Sequence, residues 1–343
     1  MPSDPVNLAA VSVKPFDKVL VQERPYPRPP AGHIVVRVSA VAINPADGII
    51  HTQNLFNVPH PTVLGCDLAG EVVEVGEGVT IRHVGDRVIA STTCTTFGAD
   101  GGAFQSYSCF PAVRSGILPN NVSYEQGCIL PLGLSTAAGG LFASDTLGLV
   151  LPQVDALSKE QVVLVWGAGT SVGIGGCQLA LGAGYEVFAT ASEANKSMVE
   201  SIGARYFSHR SDRVVEEIQA ALGDRKLSAI LCSVHNERAK AACVKLAKLS
   251  GLDYACGVMP LDTEPLDGVR WGCANSSAVW ENGIAETVFG DYLPKALAEG
   301  RFLPLPKIHI VGHGLKFIQE GLDRVVSEYM SSGGGARKLV VTL

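Results

Sequence analysis

The sequence predicts an α/β protein with two domains, in which a domain of short strands precedes a doubly wound parallel sheet. Its 343 residues exceed twice the length of about 150 residues that is usual for one domain. Residues 10–125 carry short β-branched runs separated by glycine and proline, whereas strands and helices alternate from about residue 127. A hydrophobic content of 47% with 17% charged residues excludes a disordered chain.

The first domain is predicted to consist of short strands arranged in a barrel or a sandwich. Apolar, β-branched runs occur at 34–38, 70–75 and 86–90. Proline and glycine at 29–30 and 76–78 bound these runs, as is typical of turns between strands.

The second domain is predicted to alternate between strands and helices, which favours a parallel sheet. The predicted strands lie at 162–166, 186–190, 205–207, 227–232 and 254–258, and the helices that follow them end near 181, 202, 222 and 249. A helix at 315–326 and a strand at 338–341 are predicted in the tail, which could return to the first domain. We therefore place the first domain at 1–126 with 303–343, and the second at 127–302.

Composition limits the expected partners and the compartment. The 27 basic and 33 acidic side chains give a net charge of -6, so small molecules or proteins are expected as partners rather than nucleic acid or a membrane. Nine cysteines without a Cys-x-x-Cys pair predict buried free thiols in a reducing compartment. The start of the chain lacks the pattern of a secretory signal, and we expect a cytoplasmic protein.

A glycine-rich turn is the most informative motif in the chain. Residues 167–173 follow a strand of the buried type and open a helix. Glycine lets the backbone approach a diphosphate, and a helix N-terminus offers unpaired N–H groups and the positive end of the helix dipole. The turn therefore predicts a nucleotide cofactor, and a plain strand-to-helix turn is the alternative.

The end of the next strand bears on which nicotinamide cofactor is bound. An acidic residue there would bind the 2′-hydroxyl of NADH, whereas basic or hydroxyl groups would accept the 2′-phosphate of NADPH. The strand ends near Ser192, and Asn195 and Lys196 follow, which favours NADPH. Glu193 is the rival group for the ribose, and a solvated lysine at a helix start is the alternative for Lys196.

Several blocks of sequence together resemble a known superfamily. They are GCDLAGEVVEVG at 65–76, VGDRV at 84–88, NPAD at 44–47, PLGLSTAA at 131–138, VGHGL at 311–315 and QEG at 319–321. In this order they are similar to the medium-chain dehydrogenase/reductase superfamily, in particular to a zinc-independent fungal branch that includes the trans-acting enoyl reductases of polyketide synthase clusters. The resemblance spans essentially the whole chain.

The resemblance implies a fold and a set of contacts. The fold is a GroES-like β-barrel domain completed by the C-terminal tail, with a doubly wound Rossmann domain between and the active site in the cleft. The implied cofactor contacts are Thr136, Gly169, Thr170, Ser171, Val172, Gly173, Ser192, Asn195, His209, Gly257, Val258, Leu339 and Val340. Phe289 and Leu293 would line an acyl pocket, with an amphipathic helix face as the alternative. A buried terminal strand is the alternative for Leu339 and Val340.

The same comparison of motifs predicts that no metal is bound. Zinc alcohol dehydrogenases of this superfamily use a cysteine and the histidine of a Gly-His-Glu block. This chain has Asp47 near the first position, and Cys66 and Asp67 at the second. Because a tetrahedral zinc site needs several thiolate or imidazole ligands, we expect Asp67 to be a buried structural carboxylate and Cys66 a small core residue.

The implied reaction is the reduction of an activated carbon–carbon double bond by NADPH, in fungal secondary metabolism. Charge would develop on the carbonyl oxygen of a polyketide-type enone or acyl thioester, so the site needs hydrogen-bond donors and must exclude water. Asn44, Ser135 and Thr136 are the candidate catalytic residues, with turn and cap chemistry as the alternative. A polyketide synthase carrier domain could present the substrate.

One departure from the family pattern leaves the proton donor open. Trans-enoyl reductases often have a lysine two residues after the NPxD block, where this chain has Gly48 and Ile49. His51 is a candidate donor and substrate contact because its ordinary pKa is about 6.5, and a surface histidine is the alternative. A zinc-independent quinone oxidoreductase and a cofactor-binding protein with a non-redox role are the alternative functions.

Overall fold

The computed structural model describes residues 4–93, 96, 98–258, 265–330 and 337–343. The strands are β1 (Asn7–Ser12), β2 (Leu20–Arg24), β3 (His33–Ile43), β4 (Thr62–Val63), β5 (Asp67–Val75), β6 (Arg87–Ser91), β7 (Tyr107–Pro111), β8 (Ser115–Ile117), β9 (Gln161–Trp166), β10 (Glu186–Ala191), β11 (Arg205–Ser208), β12 (Lys226–Cys232), β13 (Tyr254–Gly257), β14 (Arg270–Cys273), β15 (Lys307–His313) and β16 (Arg337–Thr342). The helices are α1 (Pro45–Gln53), α2 (Tyr124–Gly127), α3 (Pro131–Phe142), α4 (Ser171–Gly182), α5 (Lys196–Ser201), α6 (Val214–Leu222), α7 (Glu237–Leu249), α8 (Leu293–Ala298) and α9 (Ile318–Met330). A π-helix, Glu286–Tyr292, runs directly into α8.

The chain divides into two compact units. The first unit comprises Met1–Pro131 and Lys307–Leu343, and the second comprises Leu132–Pro306. These boundaries lie a few residues from the predicted ones. The first unit is therefore discontinuous in sequence, and the second is a single continuous segment.

The first unit is built on a seven-stranded sheet and a three-stranded sheet. The larger sheet has the order β15-β16-β3-β5-β6-β8, with β7 also paired to β3, and the smaller has the order β2-β1-β4. The strands predicted at 34–38, 70–75 and 86–90 correspond to β3, β5 and β6. Fully buried apolar side chains such as Phe104, Phe110 and Leu68 fill the core of this unit.

Strand β3 organises the first unit because it pairs with β5, β7 and β16, all antiparallel. At its carboxyl end, Ala42 lies opposite Asp67 of β5, and Ile43 lies opposite Leu339 of β16. The tail of the chain thus completes the sheet of the first unit. The register also brings the starts of β5 and β16 to the residue that follows β3, Asn44.

The second unit is a doubly wound parallel sheet, which confirms the predicted fold class. Its strand order is β11-β10-β9-β12-β13-β14, and every neighbouring pair is parallel. Counted from β9, this is the order 3-2-1-4-5-6 of the Rossmann fold. In such sheets ligands bind beyond the carboxyl ends of the strands, where the strand order reverses, which here is at β9. Strand β14 is not predicted from the sequence.

The cysteines test the expectation of buried free thiols. Eight of the nine cysteines lie among the described residues and are free thiols, and Cys94 lies outside them. Six of the eight are buried, Cys109 is half-buried and Cys273 is exposed, so burial is confirmed for most of them. In the described ranges, the helices are all too short or too polar to cross a bilayer.

Gly70 of β5 lies where β3 approaches closely. A Cβ atom at this position would lie 2.1 Å from the Arg37 carbonyl oxygen. We expect Gly70→Ala to lower the free energy of unfolding by about 2 kcal/mol or more, because the backbone of β3 cannot withdraw without breaking the sheet ladder. A lowered melting temperature by circular dichroism would measure this effect.

Gly290 provides the matched control for this substitution. It lies in the π-helix, and a Cβ atom there would have no described neighbour within 4 Å. Because alanine restricts the unfolded chain and favours helices, Gly290→Ala should be neutral or stabilising. Equal melting temperatures for the two variants would contradict the close approach at Gly70.

Candidate functional site

The glycine turn joins β9 to α4 at the carboxyl edge of the parallel sheet. Strand β9 ends at Trp166, and Gly167 then has a φ of 93°, a left-handed value that favours glycine. Thr170 caps α4 by accepting the Gly173 N–H at 2.9 Å. The motif found in the sequence therefore has the strand-turn-helix context that a dinucleotide site requires.

The three glycines of this turn leave no room for a side chain at their positions. A Cβ atom at Gly173 would lie 2.3 Å from the Gly167 carbonyl oxygen, and one at Gly167 would lie 2.6 Å from a Val234 methyl carbon. At Gly169 the nearest atom is the Asn195 amide nitrogen, at 2.5 Å, so Asn195 lies at the turn. Glycines at these positions, at a helix N-terminus, fit the diphosphate of a dinucleotide.

Ser233, which follows β12, supports the turn and was missed from the sequence. Its hydroxyl lies 2.9 Å from the carbonyl oxygens of Trp166 and Gly167, and it accepts a hydrogen bond from Thr170 at 3.0 Å. On the other side of β9, the Thr190 hydroxyl accepts the Gly167 N–H at 3.1 Å. Both residues lie at or near the carboxyl ends of the strands beside β9. This placement at the strand ends was the only signal in the sequence that could have identified them as supports of the turn.

The end of β10 carries the residues that favour NADPH in the sequence analysis. Ser192 follows the strand and is half-buried, and Lys196, the first residue of α5, is exposed. The rival group Glu193 accepts a hydrogen bond from the Tyr206 hydroxyl at 3.0 Å. The Lys196 ammonium lies 5.7 Å from the centre of the Tyr206 ring. Tyr206 therefore neighbours both Glu193, the candidate for the ribose, and Lys196, the candidate for the 2′-phosphate.

His209 follows β11, at the same edge of the sheet. Its backbone N–H donates to the Ala191 carbonyl at 3.2 Å, which ties it to the end of β10. Burial lowers the pKa of His209, and the charges of Arg210 and Arg238 lower it further, while a hydrogen bond between the ring and the Ala191 backbone opposes them. The ring is therefore mainly neutral at neutral pH, and it would contribute hydrogen bonds rather than a fixed charge.

Helix α3 carries Ser135 and Thr136 and packs on the start of α4. A Cβ atom at Gly133 would lie 3.1 Å from the Ser171 Cβ, which measures how closely the two helices approach. Ser135 and Thr136 both donate their hydroxyl hydrogens to the Leu132 carbonyl, at 3.1 Å and 2.8 Å. With these hydrogens engaged, the two oxygens can accept hydrogen bonds but are poorly placed to donate them.

Four other predicted contacts lie in the second unit. Gly257 ends β13, and the half-buried Val258 follows it at the carboxyl edge of the sheet. Phe289 and Leu293, on the π-helix and at the start of α8, are both buried, and the Phe289 ring stacks on Trp280 at 4.6 Å between centres. An acyl pocket formed by Phe289 and Leu293 stays a prediction.

Leu339 and Val340 lie in the first unit, within β16. Both are buried, and β16 runs between β15 and β3. The surroundings of these two residues are those of a buried strand, which was the alternative considered from the sequence. Their contact with a cofactor stays a prediction.

The first unit holds a buried polar cluster formed by Asn44, Asp67 and Lys338. The Asn44 amide nitrogen donates to Asp67 Oδ2 at 2.9 Å, and the Asn44 amide oxygen accepts from the Lys338 ammonium. The Lys338 ammonium also lies 3.5 Å from Asp67 Oδ2, with the lysine side chain 5% exposed and the aspartate fully buried. The lysine was not singled out from the sequence, although it begins the predicted terminal strand at 338–341.

Asp47 adds a second carboxylate near this cluster. It is buried in α1, and its Oδ2 accepts the Asn44 N–H at 2.8 Å. Burial raises the pKa of Asp47 to about 6, and the charge of Asp67 acts in the same direction. The Asn44 N–H, the Cys66 thiol and Lys338 oppose this rise. Asp47 is therefore poised to change protonation near neutral pH.

His51 is buried, so the alternative of a surface histidine is wrong. The residue is 4% exposed, and its Nδ1 has no hydrogen-bond partner among the described residues. Its helix α1 packs on α9: a Cβ atom at Gly48 would lie 2.6 Å from a Val326 methyl carbon. Burial lowers the pKa of His51, His60 adds to the lowering, and Asp323 opposes it.

The donor set in the first unit does not fit zinc. Within the described ranges, no group of three or more His, Cys, Asp or Glu side chains is placed to hold a metal ion. Cys66 is a buried core residue, and Asp67 is bonded to Asn44 with the Lys338 ammonium beside it. With an ammonium beside this carboxylate, the described side chains around it offer too few thiolate or imidazole ligands for a tetrahedral site.

Comparisons with known proteins agree with this architecture. The family model of the alcohol dehydrogenase GroES-like domain matches residues 30–120. The dehydrogenase azaJ of Aspergillus niger is 36% identical over 350 residues, covering 99% of each chain. The chain belongs to the medium-chain dehydrogenase/reductase superfamily.

The chain is also similar in sequence to a fungal reductase and similar in fold to a solved structure. The trans-enoyl reductase himH of Aspergillus japonicus is 31% identical over 324 residues, which cover 90% of this chain and 89% of that protein. A crystal structure of an alcohol dehydrogenase superfamily protein from Novosphingobium aromaticivorans superposes with a TM-score of 0.80 at 22% identity, covering 98% and 99% of the two chains. Medium-chain dehydrogenases and reductases are oxidoreductases that bind nicotinamide cofactors, and the glycine turn has the geometry for one.

The raised pKa of Asp47 predicts a pH-dependent stability. The pKa of about 6 in the folded protein exceeds the value of about 3.9 expected in the unfolded chain. The folded state thus holds this proton more tightly, and it loses a contribution of a few kcal/mol as the pH rises through the folded pKa. Because asparagine does not ionise, Asp47→Asn removes this fall in the free energy of unfolding with rising pH.

The test compares melting temperatures between about pH 5 and about pH 8. The difference between Asp47→Asn and the unmodified protein should become more favourable to the variant as the pH rises. Asp212→Asn, whose parent side chain is 99% exposed, is the control and should leave the pH dependence unchanged. Parallel curves for Asp47→Asn and the unmodified protein would contradict the raised pKa.

Proposed function

We propose that the protein is an NADPH-dependent ene reductase that transfers hydride to the β-carbon of an α,β-unsaturated carbonyl compound. The observation that carries the proposal is the close approach of neighbouring atoms at Gly167, Gly169 and Gly173 in the glycine turn, with Ser192 and Lys196 at the end of the neighbouring strand. The name of the relative himH, a trans-enoyl reductase, supports a polyketide-type substrate in fungal secondary metabolism. The substrate would be an enone or an acyl thioester, and a synthase carrier domain could deliver it.

The residues of the second unit divide the work of holding the cofactor. The N–H groups at the start of α4 would bind the diphosphate, with Thr170 and Ser233 fixing the turn. Ser192 and Lys196 would face the 2′-phosphate, and Thr136 the nicotinamide ribose. Hydrogen bonds to a charged phosphate contribute about 1.5–3 kcal/mol each, which is enough to discriminate NADPH from NADH.

The bound nicotinamide would supply the hydride, and the protein must supply donors for the charge that develops on the substrate oxygen. The hydroxyl hydrogens of Ser135 and Thr136 are engaged with the Leu132 carbonyl. The Asn44 amide uses one hydrogen on Asp67 and has a second one left. Asn44 is therefore the best donor of the three candidate catalytic residues, and the hydroxyls suit a role in orienting the cofactor.

The proposed activity is tested by following the absorbance of NADPH in the presence of a substrate panel. The panel contains cyclohexenone, an α,β-unsaturated N-acetylcysteamine thioester, benzoquinone and the saturated ketone. We expect consumption with the enone or the thioester, and none with the saturated ketone. Consumption with the quinone alone would identify a quinone reductase, and binding of NADPH without any turnover would identify a non-redox role; either result would refute the proposal.

Cofactor preference is tested at Lys196. We expect Lys196→Met to raise the Kd for NADPH about tenfold or more and to leave the Kd for NADH unchanged, because only NADPH has the 2′-phosphate. Fluorescence titration gives both constants. Lys226→Met is the control, since this exposed lysine begins β12 at the opposite edge of the sheet. Equal weakening of both cofactors by Lys196→Met, or an equal effect of Lys226→Met, would contradict the assignment.

A further inference from the structure

A buried ammonium group lies beside the candidate donor Asn44. Lys338 is 5% exposed, and its nearest charged partner is the fully buried Asp67, at 3.5 Å. A charge buried in this way is costly unless it is paired and hydrogen-bonded, and replacement of such a pair by apolar residues is often neutral for stability. Stability alone is therefore a weak reason for this pair, and its effect on Asn44 needs to be considered.

The pair fixes the orientation of the Asn44 amide. The amide oxygen accepts from the Lys338 ammonium, and the amide nitrogen donates to Asp67 at 2.9 Å. If the amide turned over, its N–H groups would face the ammonium and its oxygen would face the carboxylate, and both contacts would be repulsive. Only one orientation is favourable, so the second amide hydrogen is held in one direction.

The pair also changes how strongly this hydrogen can be donated. A cation bonded to an amide oxygen draws electron density from the nitrogen, and hydrogen bonds in such chains strengthen one another. The effect is greatest where water is excluded, and Asn44 is 4% exposed. A neutral amide supported in this way is a better partner for a developing negative charge than an isolated one.

We propose that Lys338 is a positioning residue for the reduction, acting through Asn44. Held by Asp67, its ammonium orients and polarises the Asn44 amide so that the remaining N–H donates to the carbonyl oxygen of the substrate. The inference rests on the proposed ene reductase activity and deepens it by naming the donor and the charge behind it. Lys338 itself need not touch the substrate.

The first test is Lys338→Met, measured with NADPH and the unsaturated thioester. We expect kcat to fall about tenfold or more, because the donor loses its orientation and its polarisation. The KM for the thioester should change little, and the Kd for NADPH should stay within about twofold, since the amide acts mainly on the charge of the transition state. Lys307→Met, at an exposed lysine of the neighbouring strand β15, is the control and should retain the full kcat.

A purely structural role for Lys338 is separated by a double variant. Lys338→Met leaves Asp67 buried without its counter-charge, so its melting temperature should fall. Lys338→Met with Asp67→Leu removes both charges, and its melting temperature should recover in part, because the buried Asn44 amide still lacks its two partners, while kcat stays low. If kcat recovers together with the melting temperature, the lysine serves only the fold and the inference is overturned. If the single variant does not fold, the double variant carries the test alone.

Coupling between the lysine and the amide gives an independent readout. With Asn44→Ala as the starting protein, Lys338→Met should cause no further loss of kcat, because the two residues act as one unit. Independent, multiplicative losses would overturn the inference. An unmodified protein that reduces no member of the substrate panel would refute the proposed function before any variant is compared, so the two failures are distinguishable.

Discussion

The pairing of β16 with β3 is the constraint on which the first unit and its polar cluster depend. This pairing sets Leu339 opposite Ile43, which places Lys338 beside the residue that follows β3. The pairing of β3 with β5 sets Asp67 opposite Ala42 on the other side. A shift of one residue in either register would turn the side chain to the opposite face of the sheet, so the cluster exists only in this register.

The buried charges of the first unit follow from this arrangement. Two carboxylates, Asp47 and Asp67, lie within reach of a single ammonium, Lys338, and the pKa of Asp47 rises to about 6 because burial outweighs the stabilising contacts. Protonation of Asp47 would leave Asp67 and Lys338 as a neutral pair. In the second unit the balance differs, because the charged groups that follow β10, Glu193 and Lys196, are exposed to solvent.

The sequence predicts those features that repeat locally. Alternating strands and helices gave the doubly wound sheet, and the glycine turn at 167–173 has the predicted strand-turn-helix setting. The sequence could not predict the contact of Lys338 with Asn44, because it joins residues 294 positions apart and depends on strand register. His51 was misjudged for a similar reason: its burial comes from the packing of α1 on α9, which no local pattern near residue 51 records.

The discontinuity of the first unit has a consequence for folding on the ribosome. All six strands of the parallel sheet, β9 to β14, are synthesised before β15 and β16 emerge, so the second unit can fold while the first still lacks two strands of its larger sheet. Until then, the edge of β3 that β16 later covers stays unpaired and open to aggregation. The part of the chain made first is thus completed last, and chaperone binding would be needed most during that interval.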